Sequence, residues 1–371
     1  MYSDITIIGG GPAGSSLAIF LAARQWRVTL VDDGRFSNFK PGEGLVPAAK
    51  RLLKDLGVWE RFEEQGHLPS YGNDSLWGGS EVQSSDFIRS IDGHGWRLDR
   101  VAFDRMLRER AVELGVTMVE GVGERVERGR DGSFKGGSIG PFDLSLRDGR
   151  QLRSAWIADA TGRPARFARQ LGAERVHLDQ LLATYLHFEP GREGDSYGSS
   201  LIESTPYGWW YNALLPNGQR ILYCFCDGGS EIRKEISTPE GFLEALHNTQ
   251  FVGNRIREFS YSPVGVPQVT DARSACLTRI YGPGWLAVGD TAMSFDPLSS
   301  QGMLTALYGG VKAGAALLEA GKVSVPTDDA LPAYGRAIQQ VWDTYYDNRL
   351  KYYRTETRWV DQPFWKPRIG G

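Results

Sequence analysis

Three glycines at the spacing G-x-G-x-x-G, Gly9, Gly11 and Gly14, are followed at Asp32 by a carboxylate. That pattern can grip a dinucleotide. Gly9 allows a tight strand-to-helix turn, Gly11 lets the main chain approach a pyrophosphate, and Gly14 lets the helix lie close on its sheet. Pro12 and Ala13 stand between them, where a helix start offers free N–H groups and a partial positive charge to phosphates. Asp32 would accept hydrogen bonds from a ribose hydroxyl.

A second cluster, WLAVGDTAMSFDPLSSQGMLTALYGGVKAGAAL, runs from Trp285 to Leu317. A short buried strand would deliver Gly289 and Asp290 to a sheet edge, where a carboxylate can bond a polyol. A loop with Pro297 then leads to Gly302 and Met303, at the start of a helix of small residues. A helix N-terminus beneath an isoalloxazine ring stabilises the negative charge that builds there on reduction. The plainer alternative makes Asp290 only a helix N-cap.

Both clusters need elements to hold them. A lone G-x-G-x-x-G is weak, because glycine-rich turns are common. Here the parts occur in register. The apolar run Ile5–Ile8 leads into the glycines, an alanine-rich segment follows over 13–24, and a second apolar run, Val28–Val31, ends at Asp32. Further helices are predicted from Ala49, Leu52, Leu53 and Leu56, with Gly57 as a stop, and over 101–114. Strands are expected at 117–122, 156–160, 183–188, 209–215 and 219–226. Asn217-Gly218 marks a hairpin between the last two. Residues 129–149 suggest a β-meander, and 331–359 read as a helix dense in Tyr, Trp and Arg.

Composition removes several functions. The formal charge of −3 offers no basic excess for nucleic acid. Cys224, Cys226 and Cys276 make neither a disulfide framework nor zinc-site spacing, so no metal is expected. Cys224 and Cys226 alternate along a strand and should share one face as small apolar residues. No stretch is apolar for long enough to span a membrane. With the first strand starting at once, a soluble, cytoplasmic protein without a signal peptide is the expectation.

GGGPAG with Asp32, GWRLDR at 95–100, DATGR at 159–163 and GDTAMSFDPLSSQG at 289–302 together resemble the group A flavoprotein monooxygenases. That superfamily includes aromatic hydroxylases, geranylgeranyl reductases and flavin-dependent halogenases. The resemblance covers essentially the whole chain. It implies an α/β fold, a Rossmann-like FAD-binding domain of the para-hydroxybenzoate hydroxylase type. A mainly antiparallel β-sheet substrate domain would be inserted in it, and a C-terminal helical tail would follow. The expected division is 1–70, 100–172 and 280–325 for FAD, 71–99 and 173–279 for substrate, and 326–371 for the tail. The resemblance also implies Asp32 on the adenosine ribose, Arg100 near the pyrophosphate, Asp290 on the ribityl chain, and the Pro297–Met303 loop against the flavin. Arg100 could instead be solvated, and Asp159 and Arg163 could hold the inter-strand turn rather than touch substrate.

Gly121-Val122-Gly123 does not open a second phosphate-binding turn, so no nicotinamide domain is expected. Electrons would come from transiently bound NAD(P)H or a separate flavin reductase, with O2 as oxidant. Halogenases are similar at Gly42-Glu43 and at 295–298, but they need a lysine that no residue between Lys54 and Lys135 supplies, and GWWYNAL at 208–214 departs from their W-x-W-x-I-P. Geranylgeranyl reductases need a long apolar channel, which the polar residues of 175–278 disfavour.

The nearest likeness is to flavoproteins that oxidise tryptophan in a partner during tryptophylquinone maturation. It is carried by PGEGLVP (41–47), DATGRPARFARQLG (159–172), FDPLSSQGMLTALYGG (295–310) and the tail YYRTETRW…PFW (352–365). It implies that a C4a-hydroperoxide of the flavin hydroxylates an indole of a protein or peptide precursor, a quinoprotein oxidase. A small-molecule indole or phenol hydroxylase, a tryptophan-halogenase-like enzyme and a non-catalytic flavin-binding maturation chaperone are the alternatives. Indole is nucleophilic, so the protein need only orient it and exclude water. Glu43 and Asp296 are the candidate acid or base groups, although Glu43 could simply cap the helix near Pro47. Trp209, Trp210 and Tyr211 are candidates for the ring pocket, with strand alternation setting Trp210 opposite the other two. Tyr345, Tyr346, Tyr352, Tyr353, Trp359, Phe364 and Trp365, mixed with arginines, read either as a partner surface or as packing on the chain itself.

Overall fold

The strand Tyr2–Ile8 runs through the middle of a sheet because apolar neighbours cover both its faces. It pairs in parallel with Val28–Asp32 on one side and Gln151–Asp159 on the other. Thr117–Glu120 and Trp285–Ala287 extend the parallel array outward. Gly123–Arg128 and Phe142–Leu146 complete an antiparallel meander with Gln151–Asp159, as the turn-rich sequence suggested. Register aligns Ile8 with Val31 and Asp159, and Asp159 with Ala287. The strands therefore end along one edge, where open α/β sheets bind their ligands. The computed structural model describes residues 2–34, 39–87, 91–129, 140–322 and 330–370.

Two helices start from that edge, Pro12–Ala22 and Gly302–Ala320, and they pack against each other. Small residues make the crossing close. A Cβ on Gly310 would lie 2.1 Å from Ser16 Oγ, and one on Gly314 would lie 2.4 Å from the Phe20 ring. The helix Arg100–Glu113 covers the other flank of Pro12–Ala22 and buries Phe103, Met106, Leu107 and Ala111.

A second sheet has seven strands in the order Ser262–Asp271, Leu181–Glu189, Arg220–Asp227, Gly208–Leu214, Ser200–Thr205, Gly72–Leu76 and Gln83–Asp86. The Asn217-Gly218 hairpin forms, with Gly218 at φ +80°. One face packs Trp210, Leu222, Cys224 and Cys226 beneath the short helices of 232–258. The two cysteines share that face and remain unlinked, as small apolar residues would. The other face presents Trp209, Tyr223 and Phe225.

The tail, helix Ala330–Thr355 and the residues after it, straps both sheets together. Tyr334 donates to the Ala287 carbonyl at 2.8 Å, and Trp365 donates from Nε1 to the Thr205 carbonyl at 2.8 Å. Arg368 pairs with Asp227 through both carboxylate oxygens. Tyr345, Tyr353, Phe364 and Trp365 are buried, with Arg349 and Arg368 beside them. These residues are core, which decides for packing on the chain itself over a partner surface: their rings cover apolar sheet and helix faces. Tyr346 and Tyr352 remain exposed. Among the described residues, no helix is long and apolar enough to cross a membrane, and no group of three or more His, Cys, Asp or Glu could hold a metal.

Gly310→Val should destabilise the fold by at least about 1–3 kcal/mol, the usual cost of overpacking. Gly79→Ala, where a Cβ meets nothing within 4 Å, should leave the urea midpoint almost unchanged. Equal midpoints for the two variants would mean that the helix crossing is looser than described.

Candidate active site

At the strand end, Gly9 has φ +112°, and a Cβ there would stand 2.3 Å from the Ala160 carbonyl oxygen. At Gly14 a Cβ would meet Gly9 O at 1.9 Å. Both positions need glycine for protein packing. Gly11 is different. Its Cβ would meet no protein atom within 4 Å, yet Gly11 lines a cavity of about 780 Å³, so the space in front of it is open to a ligand. Pro12 opens the helix behind it. Asp32 Oδ2 accepts from Gly10 N at 2.5 Å, and a Cβ on Gly10 would strike that carboxylate. Gly10, which the spacing rule passes over, is thus fixed by the acid.

Arg100 is the first residue of its helix, which Asp99 caps by accepting from Ala102 N at 3.0 Å. It is buried rather than solvated. It donates to the carbonyls of Pro41 and Gly42 at 2.8 and 3.0 Å, and it pairs with Asp104 at 3.2 Å. Arg100 therefore holds the Lys40–Gly44 loop against the cavity. His67 steadies the same helix start: Nδ1 accepts from Asp99 N at 3.2 Å, and Nε2 bonds Gln65 Oε1 at 2.9 Å. Burial lowers its pKa from 6.5 to about 4.

At the far side, Gly289 has φ +60°, and a Cβ there would lie 2.6 Å from Ala13 Cβ, so the two glycine clusters meet. Asp290 sits on a single turn, half-exposed, 3.4 Å from Arg163 Nε; it caps no helix. Arg163 also donates to the Arg273 and Phe295 carbonyls at 2.8 and 3.0 Å. Asp159 holds the turn, accepting from Thr161, Phe167 and Ala168 N. The Pro297–Ser299 turn then leads to Gly302 and Met303, which both line the cavity, and a Cβ on Gly302 would meet nothing within 4 Å.

Asp296, the second candidate acid or base, also lines the cavity. Its carboxylate turns into the tail, accepting from the Tyr353 phenol at 2.7 Å and from Leu298 N at 3.0 Å, with Arg349 at 3.6 Å. Burial raises its pKa despite Arg349. It is an anchor between the loop and the tail.

The second sheet closes the cavity with rings. Trp209 stacks on Phe225 at 3.8 Å, and Phe225 continues to Tyr223 and Tyr211. Burial pushes both phenols up, with the Glu43 charge adding to it. Trp210 is corrected as a pocket residue: it lies on the opposite face, against Phe242, with Nε1 bonded to Tyr207 Oη at 3.1 Å. Glu43 is buried, lines the cavity and accepts from the Tyr223 phenol at 3.2 Å. The helix beyond Pro47 starts without a side-chain cap, so Glu43 is no cap.

Tyr223, Phe225 and Arg97 line this cavity and were not anticipated there, and Arg163, weighed for substrate contact or for the turn, lines it too. The signal for the first two was present. The Asn-Gly hairpin sets Tyr211 opposite Tyr223 and Trp209 opposite Phe225.

The FAD binding domain family model matches residues 2–350. A putative FAD-dependent oxidoreductase of Marinomonas mediterranea, LodB, is 30% identical over 372 residues, spanning 98% of this chain and 96% of that protein. Among solved structures, the myxobacterial chondrochloren halogenase CndH has a TM-score of 0.83 at 24% identity, covering 99% of this chain and 86% of that one. The peptidyl tryptophan dihydroxylase QhpG, essential for tryptophylquinone cofactor biogenesis, has a TM-score of 0.72 at 21% identity, covering 99% and 79%. At such identities the structural likeness establishes the fold.

Two measurements check this geometry. Asp290→Ala should weaken FAD binding by about tenfold, one charge-assisted hydrogen bond, while stability stays within about 0.5 kcal/mol. Unchanged flavin occupancy after dilution would remove Asp290 from the cofactor site. The second concerns His67, whose neutral ring folding favours. The unfolded chain takes up a proton near pH 6.5 and the folded one only near 4, so stability falls as pH drops through that window. The loss should reach roughly 2–3 kcal/mol and be smaller in His67→Gln, as read from urea midpoints above and below the window.

Proposed function

The chain belongs to the FAD-binding domain family, and on that footing we propose that it hydroxylates the indole ring of a tryptophan in a protein or peptide precursor. It is an FAD-dependent oxidoreductase, of the kind that modifies aromatic rings. FAD, once reduced by NAD(P)H or a flavin reductase, supplies with O2 the electrophilic oxygen. One oxygen atom enters the ring, the other leaves as water, and the reductant provides two electrons.

The observation that carries the reading is a shared cavity. An aromatic recess of Trp209, Tyr211, Tyr223 and Phe225, with the Glu43 carboxylate, opens on the same space as the glycine cradle. The open space at Gly11 and Gly302 fits a large extended cofactor. Gly9, Gly11 and Gly14, with Pro12 and Ala13, would hold its phosphates, and Arg100 would fix the loop beside them. Asp32 would take a ribose and Asp290, on the Gly289 turn, the ribityl hydroxyls, with the Pro297–Met303 segment against the ring. The recess would orient the indole by stacking and keep water out. Glu43 would then accept the proton that the ring loses as it regains aromaticity.

Two points favour hydroxylation of a peptide tryptophan. Lys40, the one lysine lining the cavity among the described residues, is paired with Asp104 at 3.5 Å, so no unpaired ammonium waits there to carry an oxidised halide. The motifs at 41–47, 159–172 and 295–310 are those that resemble the tryptophan-oxidising maturation flavoproteins.

The test supplies holoenzyme with NADH, a flavin reductase and air, and compares a quinoprotein oxidase precursor with free tryptophan and phenol. Mass spectrometry should find added oxygen on one tryptophan of the precursor, with rates at least about a hundredfold lower for Glu43→Gln. Turnover of free tryptophan or phenol alone would favour a small-molecule hydroxylase. Bromine incorporation in added bromide would overturn hydroxylation, and oxygen consumption unaffected by any of the three would favour a carrier.

A further inference from the structure

Arg97 is a buried charge that forms no ion pair among the described residues. It follows Trp96 on the short strand Gly95–Arg97, and it is 6% exposed. Its Nη2 donates to Ser200 Oγ, which is a neutral acceptor. Its Nε finds no hydrogen-bond partner among the described residues. No carboxylate of the described residues lies within 4.0 Å of the guanidinium. By contrast, four other buried arginines, Arg100, Arg220, Arg349 and Arg368, each face an aspartate. A buried, unpaired cation costs several kcal/mol, and folds seldom keep one that nothing offsets.

Its position says what would offset it. Arg97 lines the cavity together with Glu43, Tyr211 and Tyr223, and its guanidinium carbon lies 6.0 Å from the centre of the Tyr211 ring. The guanidinium therefore sits beside the aromatic recess, within the cavity that the glycine turn also lines. A planar guanidinium matches a carboxylate in shape and charge.

We propose that Arg97 binds a carboxylate tethered to the aromatic ring of the substrate, and so selects acid-bearing rings over neutral or cationic ones. This rests on the reading that the recess holds the substrate ring, and it adds a chemical requirement to it. The carboxylate has two possible sources, a free aromatic acid or an acidic residue beside the tryptophan of a peptide. The recognition chemistry is the same.

The experiment needs no turnover, so its outcome is separate from that of the hydroxylation test. Oxidised holoenzyme is titrated with indole-3-propionate, indole-3-propionamide and tryptamine, following the visible flavin spectrum. The acid should bind about ten- to a hundredfold more tightly than the isosteric amide, as one charge-assisted pair allows, and tryptamine should bind most weakly. Arg97→Gln should erase the preference for the acid while retaining FAD, and Arg97→Lys should restore part of it. If neither variant folds, the wild-type comparison of acid and amide still decides. Equal affinities, or a preference that survives in Arg97→Gln, would overturn the assignment. A preference for amidated Trp-Glu over amidated Trp-Gln would place the carboxylate on a peptide neighbour. A preference confined to N-acetyltryptophan over its amide would place it on a free acid.

Discussion

The molecule depends on one place where main chain must lie against main chain. Helices Pro12–Ala22 and Gly302–Ala320 cross so closely that Gly310 leaves no room for a single carbon beyond its backbone. Gly289 faces Ala13 under the same restriction. Because the crossing is so tight, both helix starts reach one cavity from opposite sides. A wider crossing, filled by ordinary side chains, would carry those N–H groups apart, and a single extended ligand could not meet both.

The tail answers a different need. The second sheet presents Trp209, Tyr223 and Phe225 on one face, and rings so close to a cavity require a solid backing. Trp77, Tyr353, Phe364 and Trp365 provide it in an edge-to-face cluster. Polar contacts set its position. Glu356 accepts from Gly78 N, and Asp296 receives the Tyr353 phenol beside Arg349. Those groups link the Pro297 turn, the recess and the tail into one body. A residue that resembles a catalytic acid by its place in a motif serves here as an internal tie.

Much of the cradle was legible because its rules are local. Gly9, Gly14 and Asp32 act within a single β-α-β unit, where spacing alone reports geometry. The hairpin at Asn217-Gly218 was legible for the same reason. The recess was less so. Arg97 reaches the cavity on a short strand paired with the chain just after Glu43, and a pattern of period two or 3.6 does not report such a pairing over fifty residues. Trp210 shows the value of alternation, since the rule that placed Trp209 inward sent its neighbour to the other face. The tail stayed ambiguous because tyrosine, tryptophan and arginine suit an exposed interface as well as a core that needs polar tips satisfied.

The cavity takes its walls from Ile8, Lys40, Arg100, Val122, Phe167, Thr270 and Ala306, residues spread along most of the chain. Whatever fills it works as a non-covalent staple that adds to the packing between those segments. Such a ligand adds stability in proportion to the logarithm of its concentration over its dissociation constant. The lifetime of the protein against proteolysis in a cell would then follow vitamin supply, and riboflavin starvation would thin the population of molecules before it slowed any that remained.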